Sequence, residues 1–350
     1  MPFTASEVSD AGKIGLDFYM KNNPIDQVAV ERPFLKMLMD GKKNAPGAKQ
    51  YIVEQLRYRY QSNFQWFNGA QVVTYNRRQS IEQTQFPWRS AHDGVALDED
   101  RLIQNGISVS DSGPGGNATK AEMIQLTNLL DEQMEILRLG FEEQFSTYSM
   151  LDGTDSADAL EGLDKLISLS SPASGTVGGI NKATNGWWRN HAATGLDSTS
   201  GTGDILTKME IAWRACVKNG GRPTDIFVGS TFLDGYRDFL INTYGVLNYQ
   251  ASSERVSEGG TKELLFHGIP MQWVPEWDDL DATDAPSVSW KKRCYMLNKK
   301  HMKLRPMEGQ HMITRKPPRP YDRYEYYWAL TWRGALTTNR LNAMAAVSVT

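Results

Sequence analysis

A chain of 350 residues, 40% of them apolar, is long enough for one large domain or two intimately connected ones with a substantial core. Its 38 basic and 41 acidic residues leave a net charge of −3, which argues against a protein that coats duplex nucleic acid. Two cysteines, Cys216 and Cys294, exclude a disulfide framework and fit a reducing cytosol, while the lack of a long apolar run or a basic-then-apolar start argues against membrane insertion and secretion.

The first fifty residues mix short apolar clusters with Pro24, Pro33, Gly41, Pro46 and Gly47. Proline fixes φ and bars long regular elements, so this stretch reads as an extended arm with one short helix around Pro33 to Asp40. From Tyr51 to Trp88 aromatic or β-branched residues nearly alternate with polar ones on either side of Asn68-Gly69. That pair tolerates the positive φ of a type I′ turn, and the pattern predicts a long hairpin. It is polar on both faces and has no core of its own, so its rings need partners elsewhere.

After a Gly-rich break at 111–116, Thr119 and Glu122 form a capping-box pattern. Leu126, Leu130, Met134, Leu137, Phe141, Phe145 and Tyr148 then recur every three or four positions, which predicts one helix over 118–149 with a single apolar stripe. At ~1.5 Å per residue it spans about 48 Å, the length of a structural spine. A short helix is expected over 157–169, with Leu160, Leu163, Leu166 and Ile167 inward, followed by a Ser/Thr/Gly-rich excursion at 170–203 pinned by Trp187 and Trp188. A helix over 204–218, a strand over 225–228 and a helix over 231–240 capped by Ser230 make a compact α/β unit. Strands return at 268–274, at 294–297, and in a long run from Tyr324 to Trp332 that continues to Val349.

Little in this order carries chemistry. Lys120 lies four residues past Gly116, whereas a phosphate loop needs its lysine directly after the last glycine. The five histidines lack metal-ligand spacing, and no nucleophile elbow is present. The clusters Asp152, Asp155, Asp158 and Asp278, Asp279, Asp281, Asp284 offer hard oxygens to a cation, yet read better as helix caps and solvated loops. No catalytic residue, metal or cofactor is expected. Positive charge between Tyr51 and Gly116 comes from arginine alone: Arg57, Arg59, Arg77, Arg78, Arg89 and Arg101. Arginine pairs bidentately with carboxylates and stacks on rings, so Arg57, Arg59, Arg77, Arg78 and Arg89, together with Trp66, Phe67, Phe86 and Trp88, are candidates for contact between subunits.

The order of parts, with Leu160-Glu-Gly-Leu-Asp-Lys-Leu-Ile-Ser168, Gly178-Gly-Ile-Asn-Lys182 before Trp187-Trp-Arg-Asn190, Arg222-Pro-Thr-Asp-Ile-Phe-Val-Gly-Ser230 and Phe266-His-Gly-Ile-Pro-Met271, resembles the major capsid protein of tailed bacteriophages with the Hong Kong 97-type fold. The resemblance implies an α+β architecture with an N-terminal arm at 1–50 and a hairpin E-loop at 51–92. It implies a peripheral domain at 93–152 and 300–350 built on the spine helix, and an axial domain at 153–299. It also implies hexamers and pentamers that close into an icosahedral shell around double-stranded DNA, with the E-loop lying over a neighbour's peripheral domain. Some members weld their shells through an E-loop lysine; residues 51–116 contain none, so a non-crosslinked shell is expected. The arm begins almost at once, which implies a separate scaffolding protein beside a portal and, as an option, a decoration protein. An encapsulin-like nanocompartment shell remains an alternative, as does a soluble carbohydrate-active enzyme that stacks sugars on its tryptophans.

Overall fold

The protein is represented by a computed structural model described over residues 30–47, 49–104, 109–110, 113–114, 120–199, 202–218, 220–244, 264–284, 286–317 and 324–350. Most of the expected arm, the Thr119 cap and the side chains of Glu122, Leu126, Leu130 and Asp284 lie outside the described residues. Contacts divide the chain into two units. The smaller holds Met1–Glu31, His92–Glu142 and Thr314–Thr331, and the larger holds Arg32–Ala91, Glu143–Ile313 and Trp332–Thr350.

The larger unit is organised by a six-stranded mixed sheet in the order Leu265–Phe266, Ile269–Trp273, Asp225–Val228, Arg293–Leu297, Ala345–Val349 and His191–Leu196. Every residue of Arg293–Leu297 and Ala345–Val349 is buried, which requires cover on both faces of the sheet. On one face Ile226, Val228, Cys294, Met296, Ala345 and Val347 share a core with Ile205, Met209, Trp213 and Cys216 of helix Ile205–Lys218 and with Phe232, Tyr236 and Phe239 of helix Ser230–Tyr244. Alternate residues lie on the other face, where Phe34 of helix Pro33–Asp40 meets Phe227 edge-on at 5.7 Å and Tyr295 contacts Trp277 and Trp290.

A charge is buried there too. Arg293, only 3% exposed, lies 4.0 Å over the Trp290 ring and donates from Nη1 to Asp164 Oδ1 at 3.0 Å, while the Tyr295 hydroxyl donates to the same oxygen. Burial raises the Asp164 pKa above 3.8 even though Arg293 and Tyr295 pull it down.

The sheet cuts across the boundary expected at 299. The long strand Glu325–Thr338 pairs antiparallel with Met302–Pro306, but at the Leu341–Ala343 turn the chain leaves that partner, and Ala345–Val349 enters the middle of the other sheet. The run Ala345-Ala-Val-Ser-Val349, with Ser348 as its one polar side chain, is compatible with a strand covered on both faces.

The spine helix forms as Lys120–Met150. Its stripe holds at Leu137, Phe141 and Phe145, but Tyr148 is exposed and Ser146 and Ser149 are buried in the last turn. The buried positions Leu137, Phe141, Phe145 and Ser149 are spaced by four, more than the 3.6 residues of a turn, so the buried face rotates towards Ser149 by the helix end and leaves Tyr148 behind. Of the helix expected over 157–169 only Leu163–Leu166 is helical, although Leu160, Leu163, Leu166 and Ile167 are all buried as expected. Ser230 begins its helix, but its hydroxyl donates to Asp278 at 2.5 Å. The acidic run at 278–284 is likewise part of helix Glu276–Asp284 rather than a loop, and Asp281 accepts from Ser289 and from the Trp290 N–H.

In the smaller unit, the first half of the long strand carries the buried residues Trp328, Ala329 and Leu330. Strand Arg89–Asp98, whose burial alternates strictly, pairs with the long strand. The Glu99 N–H, opening helix Glu99–Gln104, donates to Tyr324 O.

Candidate interaction surface

The hairpin is two different structures end to end. Near the body, Tyr51–Arg57 and Ile81–Pro87 form a seven-pair antiparallel ladder from Tyr51 opposite Pro87 to Arg57 opposite Ile81. This register is symmetric about residue 69. The apex lies one residue beyond Asn68-Gly69: Gln71 N–H donates to Asn68 O at 2.7 Å, Gly69 and Ala70 are the central pair, and Gly69 does not use positive φ. The ladder's centre is equidistant from the two turns, so its register alone selects neither.

Beyond Tyr58 N–H to Ser80 O, the two arms stay face to face through side chains rather than a backbone ladder. Asn63 donates to Thr74 O, Gln65 donates to the Thr74 hydroxyl, and Gln61 Oε1 accepts from Gln79 N–H at 2.8 Å. Tyr58 OH and Arg59 Nε both donate to Gln79 O. The rings are left outside. Trp66 is 88% exposed, Tyr75 91% and Val72 93%, and Tyr60, Phe64 and Phe67 are also exposed. Residues 58–80 carry no acidic side chain to offset Arg59, Arg77 and Arg78. The result is an apolar, cationic surface with little core beneath it.

The nine candidate contact residues fall into two groups. Arg57, Arg59, Trp66, Phe67, Arg77 and Arg78 are exposed on the outer ladder and the tip. Phe86, Trp88 and Arg89 serve the chain's own base. Phe86 is 1% exposed, Trp88 Nε1 donates to Lys49 O at 2.8 Å, and Arg89 donates to Ala157 O and lies within 4.0 Å of Asp158 and Glu161. Glu54 on the first strand pairs with Arg305. Among the exposed rings, Tyr60, Phe64 and Tyr75 were open to recognition from the same alternating, acid-free stretch as Trp66 and Phe67.

A loop from Gly175 to Asn190 holds the base. Its short strands Thr176–Val177 and Ile180–Asn181 are joined by Gly178 and Gly179, both at positive φ as a type I′ turn requires. Gly178 O accepts from Gln85 N–H at 2.9 Å, and a Cβ on Gly178 would stand 2.9 Å from the Phe86 ring. Trp187 stacks on Tyr58 with centroids 5.1 Å apart. The loop is fixed from behind: Trp188 Nε1 donates to Val177 O, Asn190 Nδ2 to Ser168 O, and the buried Lys182 ammonium to Leu166 O. Burial lowers the Lys182 pKa to about 8.

The remaining groups offer no reactive constellation. Cys216 and Cys294 are buried, and burial pushes both thiols upward, Cys216 to about 12. Among the described residues no three His, Cys, Asp or Glu side chains gather to hold a metal, and no helix is long and apolar enough to cross a membrane. Trp188, Trp277, Trp290 and Trp332 are fully buried, so they form no wall for stacking a sugar.

No protein-family model and no curated protein matches the sequence. Solved structures do match, along nearly all of the chain. The cyanophage A-1(L) capsid asymmetric unit aligns with a TM-score of 0.61 at 16% identity over 94% of this chain and 96% of its own. The capsid of Myoviridae phage XM1 gives 0.55 at 11% identity over 95% and 97%. A structure of Mycobacterium phage Bobi gives 0.56 at 10% identity over 100% and 99%. The chain has the fold of these phage proteins, the α+β Hong Kong 97-type fold that the order of its parts implied.

Proposed function

We propose that this chain is the major capsid subunit of a tailed bacteriophage, a structural and non-enzymatic protein that assembles as hexamers and pentamers into an icosahedral shell around double-stranded DNA. The fold supports this reading, and the hairpin tip carries it: residues 58–80 expose six large apolar side chains that are left uncovered among the described residues. In the shell, Arg57, Arg59, Arg77, Arg78, Trp66 and Phe67 contact a neighbouring copy, while Phe86, Trp88 and Arg89 hold the base from which the hairpin projects. A tip with cations and no acids calls for an acidic receiving face, so added salt weakens assembly.

In this reading residues 1–50 are the arm, 51–92 the E-loop, and 93–152 with the long strand of the 300–350 segment the peripheral domain. Residues 153–299 form the axial domain, with Ala345–Val349 added to its sheet. A separate scaffolding protein directs assembly, a portal occupies one vertex, and a decoration protein is an optional outer partner. The packaged DNA is held without sequence recognition, and the subunit resides in the virion after assembly in the host cytoplasm. Negative-stain microscopy with light scattering on the purified protein, alone and with the candidate scaffold from the same genome, tests this. Rings or shells are expected. A 39.4 kDa monomer under all conditions refutes it.

A further inference from the structure

A two-stranded ladder does not fix its own direction; this one pairs with no third strand among the described residues, and its backbone ladder stops at Arg57 and Ile81. The Gly175–Asn190 loop touches the hairpin at two separated places: Gly178 against Gln85 and Phe86, and Trp187 against Tyr58, the residue at which the ladder gives way to side-chain bonds. From Tyr58, which faces Ser80, to Phe86 is about 20 Å at ~3.3 Å per residue. Two supports that far apart set a direction, which a single contact leaves free to pivot. Arg59, 5.0 Å over the far ring of the stack, adds a cation to Tyr58.

We infer that the Gly175–Asn190 loop is an aiming bracket for the hairpin, and that Trp187 is its positioning residue: the stack on Tyr58 sets the angle at which the tip reaches a second copy of the chain. This inference rests on the capsid reading for its consequence, though not for its geometry. From Tyr58 to the apex at Gly69 is about 36 Å if extended. On that lever a ~10° change at the bracket moves the apex by about 6 Å, more than the ~4.8 Å between neighbouring strands. Rings placed that far off meet the wrong part of a neighbour, so the bracket acts on the curvature and size of the shell rather than on the stability of the subunit.

Hydrogen exchange followed by mass spectrometry on the full-length protein, with particle diameters by electron microscopy, tests the idea. In Trp187→Ala, amides at 57–59 and 79–81 are expected to exchange about three- to tenfold faster, the range a lost ring pair allows, while those at 52–55 and 83–86 keep their rates. Trp187→Phe restores the slow rates. Trp187 also lies 5.7 Å from Trp188, so Tyr58→Ala provides a second route that leaves the loop intact, and Tyr58→Phe controls for the bond to Gln79 O. The double substitution Tyr58→Ala with Trp187→Ala is expected to be no faster than either single one. Shells of Trp187→Ala are expected to show a broader spread of diameters. Unchanged exchange in both single variants, additive effects in the double, or a wild-type diameter distribution overturns the inference. Failure of the wild-type chain to form rings or shells both alone and with the scaffold overturns the capsid reading instead and leaves the exchange comparison decisive for the bracket.

Discussion

Removing Asp164 strips the only carboxylate among the described residues that is hydrogen-bonded to the Arg293 guanidinium, which is 3% exposed. At 3.0 Å the pair attracts by about 5 kcal/mol at an effective dielectric near 20, and burial of both groups offsets much of that. The cost of Asp164→Ala is therefore not the worth of the pair but that of leaving Arg293 charged and unpaired in the sheet, about 3–5 kcal/mol. Tyr295 loses an acceptor in the same step. Urea unfolding read by tryptophan fluorescence, which samples Trp290 over the guanidinium, measures it. Adding Arg293→Met to Asp164→Ala is expected to recover most of the loss, because an apolar pair in a well-packed site needs no partner. The pH dependence has a definite sign. Burial raises the Asp164 pKa above 3.8, so the folded state holds this proton more tightly than the unfolded chain, and the proton-linked part of stability is full below 3.8 and lost as pH rises through the folded-state value. Mild acid then does not unfold the protein through this pair. A loss below about 1 kcal/mol in the single variant, or no recovery in the double, refutes the reasoning.

Three further outcomes are expected. Lys182 falls from 10.5 to about 8 because it is buried, so the unfolded chain binds the extra proton between those values and the Lys182 contribution to stability rises with pH across that window, opposed above about pH 9 by the raised Cys216 and Cys294 thiols; Lys182→Met removes that contribution, seen as a urea midpoint that falls further relative to wild type from about pH 8 to 10. Trp66→Ala and Phe67→Ala change subunit stability by less than about 0.5 kcal/mol, since both side chains are solvated, yet they reduce assembly measured by light scattering. Cys216 and Cys294 stay unreactive towards a thiol-specific disulfide reagent until the protein unfolds, a result a titration with and without denaturant reads directly.

Local patterns in this sequence are faithful where a single element decides them. The alternation over Tyr51 to Trp88 gave a hairpin, Pro33 to Asp40 gave a helix with those bounds, and the stripe through Leu137, Phe141 and Phe145 gave the spine. What periodicity does not carry is partner choice. Nothing in Ala345-Ala-Val-Ser-Val349 says that it pairs with Arg293–Leu297 and His191–Leu196 rather than prolonging the preceding strand, because both arrangements suit an apolar run. The apex lies at Gly69-Ala70 instead of Asn68-Gly69, and the ladder, centred on residue 69, is compatible with either turn. Within the surface, composition marked Arg57, Arg59, Arg77, Arg78, Trp66 and Phe67 as available. It could not distinguish them from Phe86 and Arg89, whose partners at Gly178 and at 157–161 are distant in sequence. Trp187 stood out as a ring in a polar loop, but its partner Tyr58 lies more than a hundred positions away.

The central place of Ala345–Val349 has a consequence for synthesis. The hairpin that bears the exposed rings leaves the ribosome early, whereas the strand that joins Arg293–Leu297 to His191–Leu196 emerges some 150 positions after the latter. Until it arrives, the sheet has a gap between these two strands, and both present open edges. A nascent chain thus carries the exposed rings of the hairpin before this sheet is finished. Emergence of Ala345–Val349 fills that gap, and in the capsid reading proposed above it puts completion of the sheet ahead of contact between the exposed rings and another copy.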